Sequence, residues 1–479
     1  MRHAVPGVGH PDSESAISTG VIRAIAAELL QFKFREFIEG TVGNLHNISR
    51  GAVLMSIFVG LTAVLWRLIP DLPLFAFAWI VGTMPIWLLP TAIAGAWKAW
   101  LWYNRSRFLV GRKPVLLEVK MPRELVRSPR AMEVAFAHLW SQQGTTTYYH
   151  RVWMGQVFPI YSFEIASFGG DVRFFVWVWE NQRKIVEATM YGQYPEVELV
   201  EVEDYAGKFK YDPRKFAGYA TEWRYEPRND AYPIKTYIEF ELEKDPKEEY
   251  KIDPLAQVLE NMHNIKPGEQ IWIQIVMTAC LDQRRKPKGK WFETESRYEG
   301  IMNDEVEKIR KQAIGENTNL EDPKEAWRRF VRIQYHKQTE QIRAIERNLS
   351  KHPFNVGMRG IYMADTGSYT PSTYYGMRWI WRPMGNVQFM NQLRPRRWHN
   401  PFDFPYQDLW DIRWDLHTER ALDAYQRRSF FFAPYIHPYN MMSTEVLATI
   451  WHPPSGAIKT PGLERMSAKK ALPPPNLPR

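Results

Sequence analysis

The sequence contains a single cysteine, Cys280, among its 479 residues. One cysteine can form neither a disulfide framework nor a cysteine-based metal site within the chain, and we expect a small buried apolar residue. The P-loop pattern G-x-x-x-x-G-K-[ST] and the motifs G-x-G-x-x-G, H-E-x-x-H and G-x-S-x-G are also missing. The 12 histidines are scattered; His399 and His417 lie near acidic residues, without the spacing of metal ligands. The sequence therefore predicts a protein that is not an enzyme and that uses no cofactor or metal.

A cleavable signal peptide is not expected either, because the first 20 residues are polar and have no apolar core. What the chain does contain is 45% hydrophobic residues, 20 tryptophans and a net charge of +9. This length and apolar content predict several folded domains. The positive charge is compatible with nucleic acid, with an anionic membrane surface or with a membrane protein that faces the cytoplasm.

Two apolar runs, 51–66 and 72–97, are separated by a short segment whose only charges are Arg67 and Asp71. A membrane-spanning helix needs roughly 20 apolar residues, so the second run qualifies, and the first does if Arg67 extends to the interface. The runs predict a transmembrane hairpin over 51–103, with a pair of buried core helices as the alternative. Basic flanks place both termini in the cytoplasm of a two-pass inner-membrane protein that contacts lipids. The predicted membrane-interface residues are Arg67, Trp97, Trp100 and Trp102.

The residues around the hairpin divide into four further segments. Residues 1–50 form an N-terminal tail whose stretch 21–40 has helical apolar spacing, typical of an interfacial helix or of a helix that packs on a partner. Within 115–205, strand signals at 115–122, 161–168, 171–179 and 197–204 and helix signals at 128–140 and 181–194 alternate in the order β-α-β-β-α-β, with Gly169-Gly170 as a hairpin turn. This order predicts a ferredoxin-like, split βαβ domain.

A second, looser copy is predicted over 216–440. Its expected strands are 234–242, 269–279, 356–364 and 429–435, and its expected helices are 253–265 and 370–381. A charged insertion, 281–351, interrupts it and predicts two helices that form a solvated arm or an oligomer contact. The last segment, 441–479, holds a short helix and a Pro-rich tail. The predicted fold class is therefore α+β: a transmembrane hairpin followed by ferredoxin-like cytoplasmic domains with a helical insertion.

Arginine and aromatic residues interleave in MRWIWRPMG (377–385) and LRPRRWHNPF (393–402), and RRKPKGK (284–290) is a basic loop. Cations beside stacking platforms can hold single-stranded nucleic acid, but arginine on tryptophan is also ordinary packing. The candidate residues for contact with nucleic acid or with a protein partner are Arg284, Arg285, Lys286, Arg378, Arg382, Arg394, Arg396 and Arg397.

The tail segments STEVLATIWHPP (443–454), TPGLERM (460–466) and AKKALPPPNLP (468–478) follow an anchor and a strand-rich body. This combination resembles the non-motor portion of conjugation-type proteins from type IV secretion-like systems, whose tail leads into a P-loop ATPase of the HerA and coupling-protein kind. The motor domain is missing here, so no ATPase residue carries over. The resemblance implies a motor on a separate chain that the tail helps to dock, or a module that has become structural.

Two functions follow from these observations. The leading one is a membrane-anchored, non-enzymatic scaffold of a secretion- or conjugation-like machine, a homo-oligomer that docks an ATPase or cargo on its cytoplasmic face. The alternative is a structural protein of a membrane-containing virus or of another large membrane assembly.

Overall fold

The structure is a computed structural model of the chain. It describes 71–122, 127–140, 147–227, 229–242, 253–280, 297–314, 336–396 and 411–456, and in addition 55, 59–60, 62, 67, 125, 286–287, 294–295, 398, 408, 458, 460–463 and 465–466. The chain forms two units. The first is built from 1–111, 145–157 and 432–436, and the second from 112–144, 158–431 and 437–479.

The helices are α1 (Leu72–Val110), α2 (Pro129–Leu139), α3 (Tyr148–Val152), α4 (Glu180–Gln193), α5 (Tyr205–Lys208), α6 (Pro254–His263), α7 (Arg297–Ile314), α8 (His336–Leu349), α9 (Pro371–Arg378), α10 (Ile412–Gln426) and α11 (Thr444–Ile450). The strands are β1 (Pro114–Pro122), β2 (Ile160–Phe168), β3 (Asp171–Trp179), β4 (Glu198–Val202), β5 (Phe216–Glu226), β6 (Glu269–Ala279), β7 (Lys286–Pro287), β8 (Thr294–Glu295), β9 (Pro353–Asp365), β10 (Gln392–Arg396), β11 (Asn440–Ser443) and β12 (Arg465–Met466).

The first unit is dominated by α1, a helix of 39 residues that continues through Pro85 and Pro90. Near its C-terminal end it packs on α3. The Trp100 and Trp153 rings meet edge to face at 5.8 Å, and Asn104 Nδ2 donates to the Val152 carbonyl oxygen at 3.1 Å. These contacts hold α3 against the last turns of α1.

The predicted transmembrane hairpin is wrong. Among the residues that the structure describes, no helix combines the length and the apolar content needed to cross a membrane. From residue 81 onward, glycine, threonine and proline dilute the apolar run, and α1 then extends through Lys98, Arg105 and Arg107 to Val110. Most of the first run, 51–66, lies outside the described residues. The two-pass inner-membrane localisation, which depended on the hairpin, is wrong with it.

The second unit begins with a β-α-β-β-α-β segment made of β1, α2, β2, β3, α4 and β4, at the positions that the sequence predicts. Its strands lie in the spatial order β4-β1-β3-β2, and β3 is antiparallel to both of its neighbours. The strands that α2 connects are thus separated by an inserted strand, which is the split βαβ arrangement. Gly169 and Gly170 join β2 to β3 with φ angles of 60° and 96°, which few other residues adopt.

A second β-α-β-β-α-β segment follows, made of β5, α6, β6, β9, α9 and β10. Its order, β10-β5-β9-β6, repeats that of the first segment. Two predicted strands are wrong here. The first strand is β5 rather than 234–242, which forms successive turns because Glu239 N bonds Thr236 O and Glu241 N bonds Ile238 O. The last strand is β10 rather than 429–435.

The two repeats join edge to edge through β2 and β6, which pair antiparallel from Ile160↔Thr278 to Phe168↔Gln270. The result is one ten-stranded sheet in which nine strands are antiparallel, while β12 lies parallel to β1. From either outer repeat strand the order reads 4-1-3-2 toward the seam, so the two halves are related by an approximate two-fold axis. The helices α2, α4, α6, α9 and α11 share one apolar core with the sheet.

The described part of the tail packs on the sheet of the second unit and is not a separate connector. β11 pairs with β9, and every residue of α11 is buried. Further along, the Arg465 guanidinium donates to the carbonyl oxygens of Ser455 and Ile458, both at 2.9 Å. The Pro-rich end, 467–479, lies outside the described residues.

Candidate binding surfaces

The outer edge of the second repeat concentrates arginine. β10 pairs with β5, which sets Arg394 directly opposite Arg224. Arg378 and Arg382 follow on α9 and on the turn after it. We call Arg224, Arg378, Arg382, Arg394 and Arg396 the arginine edge. Like charges directly opposite each other destabilise a sheet, so the pair of Arg224 and Arg394 lowers the stability of the sheet at this position.

One carboxylate organises two of these arginines. Arg394 NH1 donates to Glu226 Oε1 at 3.0 Å, and Arg396 Nε donates to Glu226 Oε2 at 3.1 Å. Burial alone would raise the pKa of Glu226, but the two guanidinium groups hold it below its usual value. Glu226 therefore stays ionised at neutral pH and fixes both arginines, whose side chains remain 42% and 54% exposed.

Aromatic rings continue this surface. The Arg394 Cζ atom lies 6.0 Å from the centroid of the half-buried Trp379 ring. On α9, the Tyr374 and Tyr375 rings stack with centroids 4.4 Å apart, and Tyr219 lies 4.9 Å from Tyr374. Burial and the neighbouring Tyr375 raise the pKa of Tyr374 to about 12. The Tyr374 phenol is thus neutral, and the positive charge of this surface comes from arginine.

The structure brings together four of the eight predicted contact residues: Arg378, Arg382, Arg394 and Arg396. Arg284, Arg285 and Arg397 lie outside the described residues, and only the backbone of Lys286 is described, in β7. Sequence reasoning missed Arg224, Tyr374 and Tyr375 at this surface. The signal for the tyrosines was the Tyr-Tyr pair just upstream of MRWIWR; Arg224 was missed because β5 was not recognised.

The four predicted interface residues belong to the first unit. Trp97 and Trp100 are 43% and 42% exposed on α1. Trp102 is half-buried on the same helix, and Arg67 is an exposed helical position. Of these residues, Trp100 contacts Trp153 at the packing of α1 on α3.

The predicted insertion supplies a second surface, the arm, which we define as α7 and α8. Its inner side packs on the body through a small apolar cluster that includes Cys280, Tyr298, Met302 and Ile345. The prediction that Cys280 is buried is confirmed. Its outer side is charged, with exposed ion pairs such as Glu307 with Lys311 at 2.7 Å. The arm is therefore amphipathic, and its apolar side is covered.

Partly buried ion pairs attach the arm to the tail and to the 234–242 turns. Arg347 on α8 lies 3.1 Å from Glu445 on α11 and 3.3 Å from Glu239. Thr236 Oγ1 also donates to Glu445 Oε1, at 2.6 Å. Burial raises the pKa of both Glu445 and Glu239. The arm, the 234–242 turns and the tail helix thus share one polar network.

A row of polar side chains crosses the middle of the sheet. Glu222, Arg359, Gln274 and Glu164 occupy directly paired positions on β5, β9, β6 and β2. We call them the buried charge ladder, since each is at most 1% exposed. The row runs across the seam, so it connects both repeats.

Arg428, which follows α10, closes the ladder. It donates to Glu164 Oε1 at 3.0 Å and to Asp204 Oδ1 at 2.9 Å, while Tyr205 OH donates to Glu164 Oε2 at 2.7 Å. Burial would lower the pKa of Arg428, but the two carboxylates raise it well above its usual value. Both carboxylate oxygens of Glu164 are occupied, so the ladder is suited to holding the structure together rather than to chemistry.

Metal chemistry has no candidate in the described part of the chain, where no group of three His, Cys, Asp or Glu side chains could hold an ion. Of the two histidines noted in the sequence, His417 is buried with its ring 6.2 Å from that of Trp398, and His399 lies outside the described residues.

Comparison with known proteins assigns the chain to no family. No protein-family model matches the chain, and no curated protein matches it significantly. The resemblance to conjugation-type proteins therefore stays a prediction, and the functional argument depends on the surfaces described above.

Proposed function

We propose that this chain is a non-enzymatic scaffold subunit of a secretion- or conjugation-like machine, and that the arm docks a separate P-loop ATPase or the cargo of that machine. We further propose that it assembles as a homo-oligomer. Membrane anchorage is not part of this proposal.

The observation that carries the proposal is the difference between the two repeats. In the first repeat, Gly169 and Gly170 connect the two middle strands in a tight turn. At the equivalent place in the second repeat, the connection between β6 and β9 contains the arm. The fold does not need this insertion, because the first repeat closes without it. An element that is added without a folding requirement favours a binding role.

The attachment of the arm supports the same role. Besides the Arg347 pairs, Asn229 Nδ2 donates to Glu305 Oε1 at 2.8 Å, and Gln341 Nε2 donates to the Phe389 carbonyl oxygen at 2.8 Å. A surface held at several points loses little freedom when a partner binds, and this favours affinity.

The test is purification of the protein from its native cells, followed by mass determination and identification of co-purifying chains. We expect a defined oligomer that carries a P-loop ATPase. The double variant Glu307→Lys with Lys311→Glu exchanges an exposed i,i+4 pair on α7, so it keeps the pair and inverts the surface pattern. This variant should fold and lose the partner.

The matched control is the exchange of another i,i+4 pair, Asp423→Arg with Arg427→Asp on α10. It should retain the partner. A monomer without any partner, or an ATPase that remains bound to the arm variant, would overturn the proposal.

A further inference from the structure

We propose that the arginine edge, together with Trp379, Tyr374 and Tyr375, binds single-stranded nucleic acid. This site lies on the second repeat and is separate from the arm, so the inference goes beyond the scaffold function and does not depend on it.

The first argument is charge. Arg394 and Arg396 share one partly buried carboxylate, that of Glu226, and Arg224, Arg378 and Arg382 form no ion pair with the residues that the structure describes. Nucleic-acid phosphates carry the negative charge that complements these cations, and guanidinium groups bind them with two parallel hydrogen bonds. Arg394 and Arg396 are already oriented by Glu226, so they bind phosphate with little loss of side-chain freedom.

The second argument is the placement of the rings. Tyr375 is 54% exposed and stacks on Tyr374 with an interplanar angle of 27°. An exposed ring with a fixed second ring behind it is a platform on which a base stacks. At the other end of α9, Trp379 lies beside Arg394. The site therefore contains an aromatic platform on α9 and, at the end of that helix, a ring beside a cation. A single strand presents unpaired bases and phosphates that match these two features.

The third argument is that the arginine edge contains a residue pair that is unfavourable for folding. Arg224 and Arg394 are cross-strand neighbours of like charge. Such a pair destabilises a sheet, and local conflicts of this kind are expected where a function requires them. A bound phosphate would relieve the repulsion.

Single strands fit better than duplex for a geometric reason. Bases in a duplex are stacked on one another, so Tyr375 has no free base face to stack on. Duplex reading in the major groove uses a helix or a two-stranded ribbon inserted into the groove. The arginine edge instead follows the rim of a broad sheet. Phosphates and base faces are common to DNA and RNA, so the site can bind a single strand of either kind.

The experiment measures fluorescence anisotropy of labelled oligothymidylate and oligouridylate, about 16 nucleotides long, with the full chain over a range of salt concentrations. We expect binding that weakens with salt, and weaker binding to a duplex of equal length. Tyr375→Ala should weaken binding by about 5- to 150-fold, and Tyr375→Phe should restore it. Arg382→Ala with Arg396→Ala should lower the slope of log affinity against log salt by about 0.7 for each lost phosphate contact.

The control removes the same charge elsewhere. Lys113→Ala with Lys208→Ala takes two exposed cations from elsewhere on the second unit and should leave affinity and slope unchanged. If these control variants and the edge variants weaken binding equally, the affinity reflects only the net charge of the chain and the site is refuted. Absence of binding at low salt, or an unchanged affinity in Tyr375→Ala, also refutes it.

Discussion

At the scale of single residues, the fully buried Arg428 is the side chain on which the interior depends most. Its backbone lies in the left-handed region, with φ at 49°, which is unfavourable for a residue with a side chain. The contacts with Glu164 and Asp204 hold it there. Removing the guanidinium leaves Glu164 charged and buried without its main partner, which is costly.

We expect Arg428→Met to lower the free energy of unfolding by about 3–5 kcal/mol, because one half of a buried ion pair is lost. The adjacent Arg427 is the control. It is 58% exposed and, among the described residues, pairs only with Asp423, one turn earlier on α10. Arg427→Met should therefore cost at most about 0.5 kcal/mol. Urea denaturation of both variants measures the difference, and equal losses would show that the ladder contributes nothing specific.

Few of these side-chain contacts can be predicted from the sequence. Glu164 and Arg428 are 264 positions apart, and neither lies in a motif. Their pairing depends on the sheet register and on the path of the chain after α10. The arginine edge is partly readable, because Arg394 and Arg396 are close in sequence and interleave with aromatics. Its acidic partner Glu226 is not, since β5 itself went unrecognised.

At the scale of elements, the turn between β2 and β3 shows how two glycines close a repeat. A Cβ atom at Gly170 would lie 2.7 Å from the His263 carbonyl oxygen, and the φ of 96° disfavours any side chain. The turn is therefore locked by the end of α6.

We expect Gly170→Ala to destabilise the protein by about 1–3 kcal/mol, through a positive φ and a close backbone contact. Gly192→Ala is the comparison. Gly192 lies in α4 with open space around its Cβ position, so alanine there should stabilise by about 0.5–1 kcal/mol. The shift in thermal midpoint reports both effects. Shifts of the same sign would contradict this account of the turn.

Element prediction succeeded where the signals are local. Between 115 and 205, the strand signals, the helix signals and the Gly-Gly turn all agree with the structure. It failed at 234–242, where Ile234 and Tyr237 lie three positions apart and enter the core from successive turns. The prediction of a membrane span at 72–97 is also wrong, because small and polar residues lower the apolar content of this uncharged run.

At the scale of the whole molecule, the seam between β2 and β6 makes the two repeats one folding unit. The pairing spans the full length of β2, and one apolar core continues on both sides. Neither repeat can lose its structure without exposing the seam strand of the other. The repeat order in each half was partly predictable, but the edge-to-edge joining was not, because it is set by contacts between distant segments.

We expect the second unit to unfold in a single cooperative transition, with tryptophan fluorescence and far-ultraviolet circular dichroism tracing the same curve. Amide hydrogen exchange should be slowest in β2 and β6, the central strands. Two separated transitions, or faster exchange at the seam than in β1, would show that the repeats fold independently.

The seam also bears on how this architecture acquired a single arm. If one repeat paired with an identical copy of itself, any insertion between its middle strands would occur twice, once on each side of the symmetry axis. Joining the halves in one polypeptide removes that obligation. One half retains the two-glycine turn while the other carries α7 and α8. The tandem arrangement thus makes the two halves of a nearly symmetric sheet different. A partner can distinguish the half that carries the arm from the half that does not.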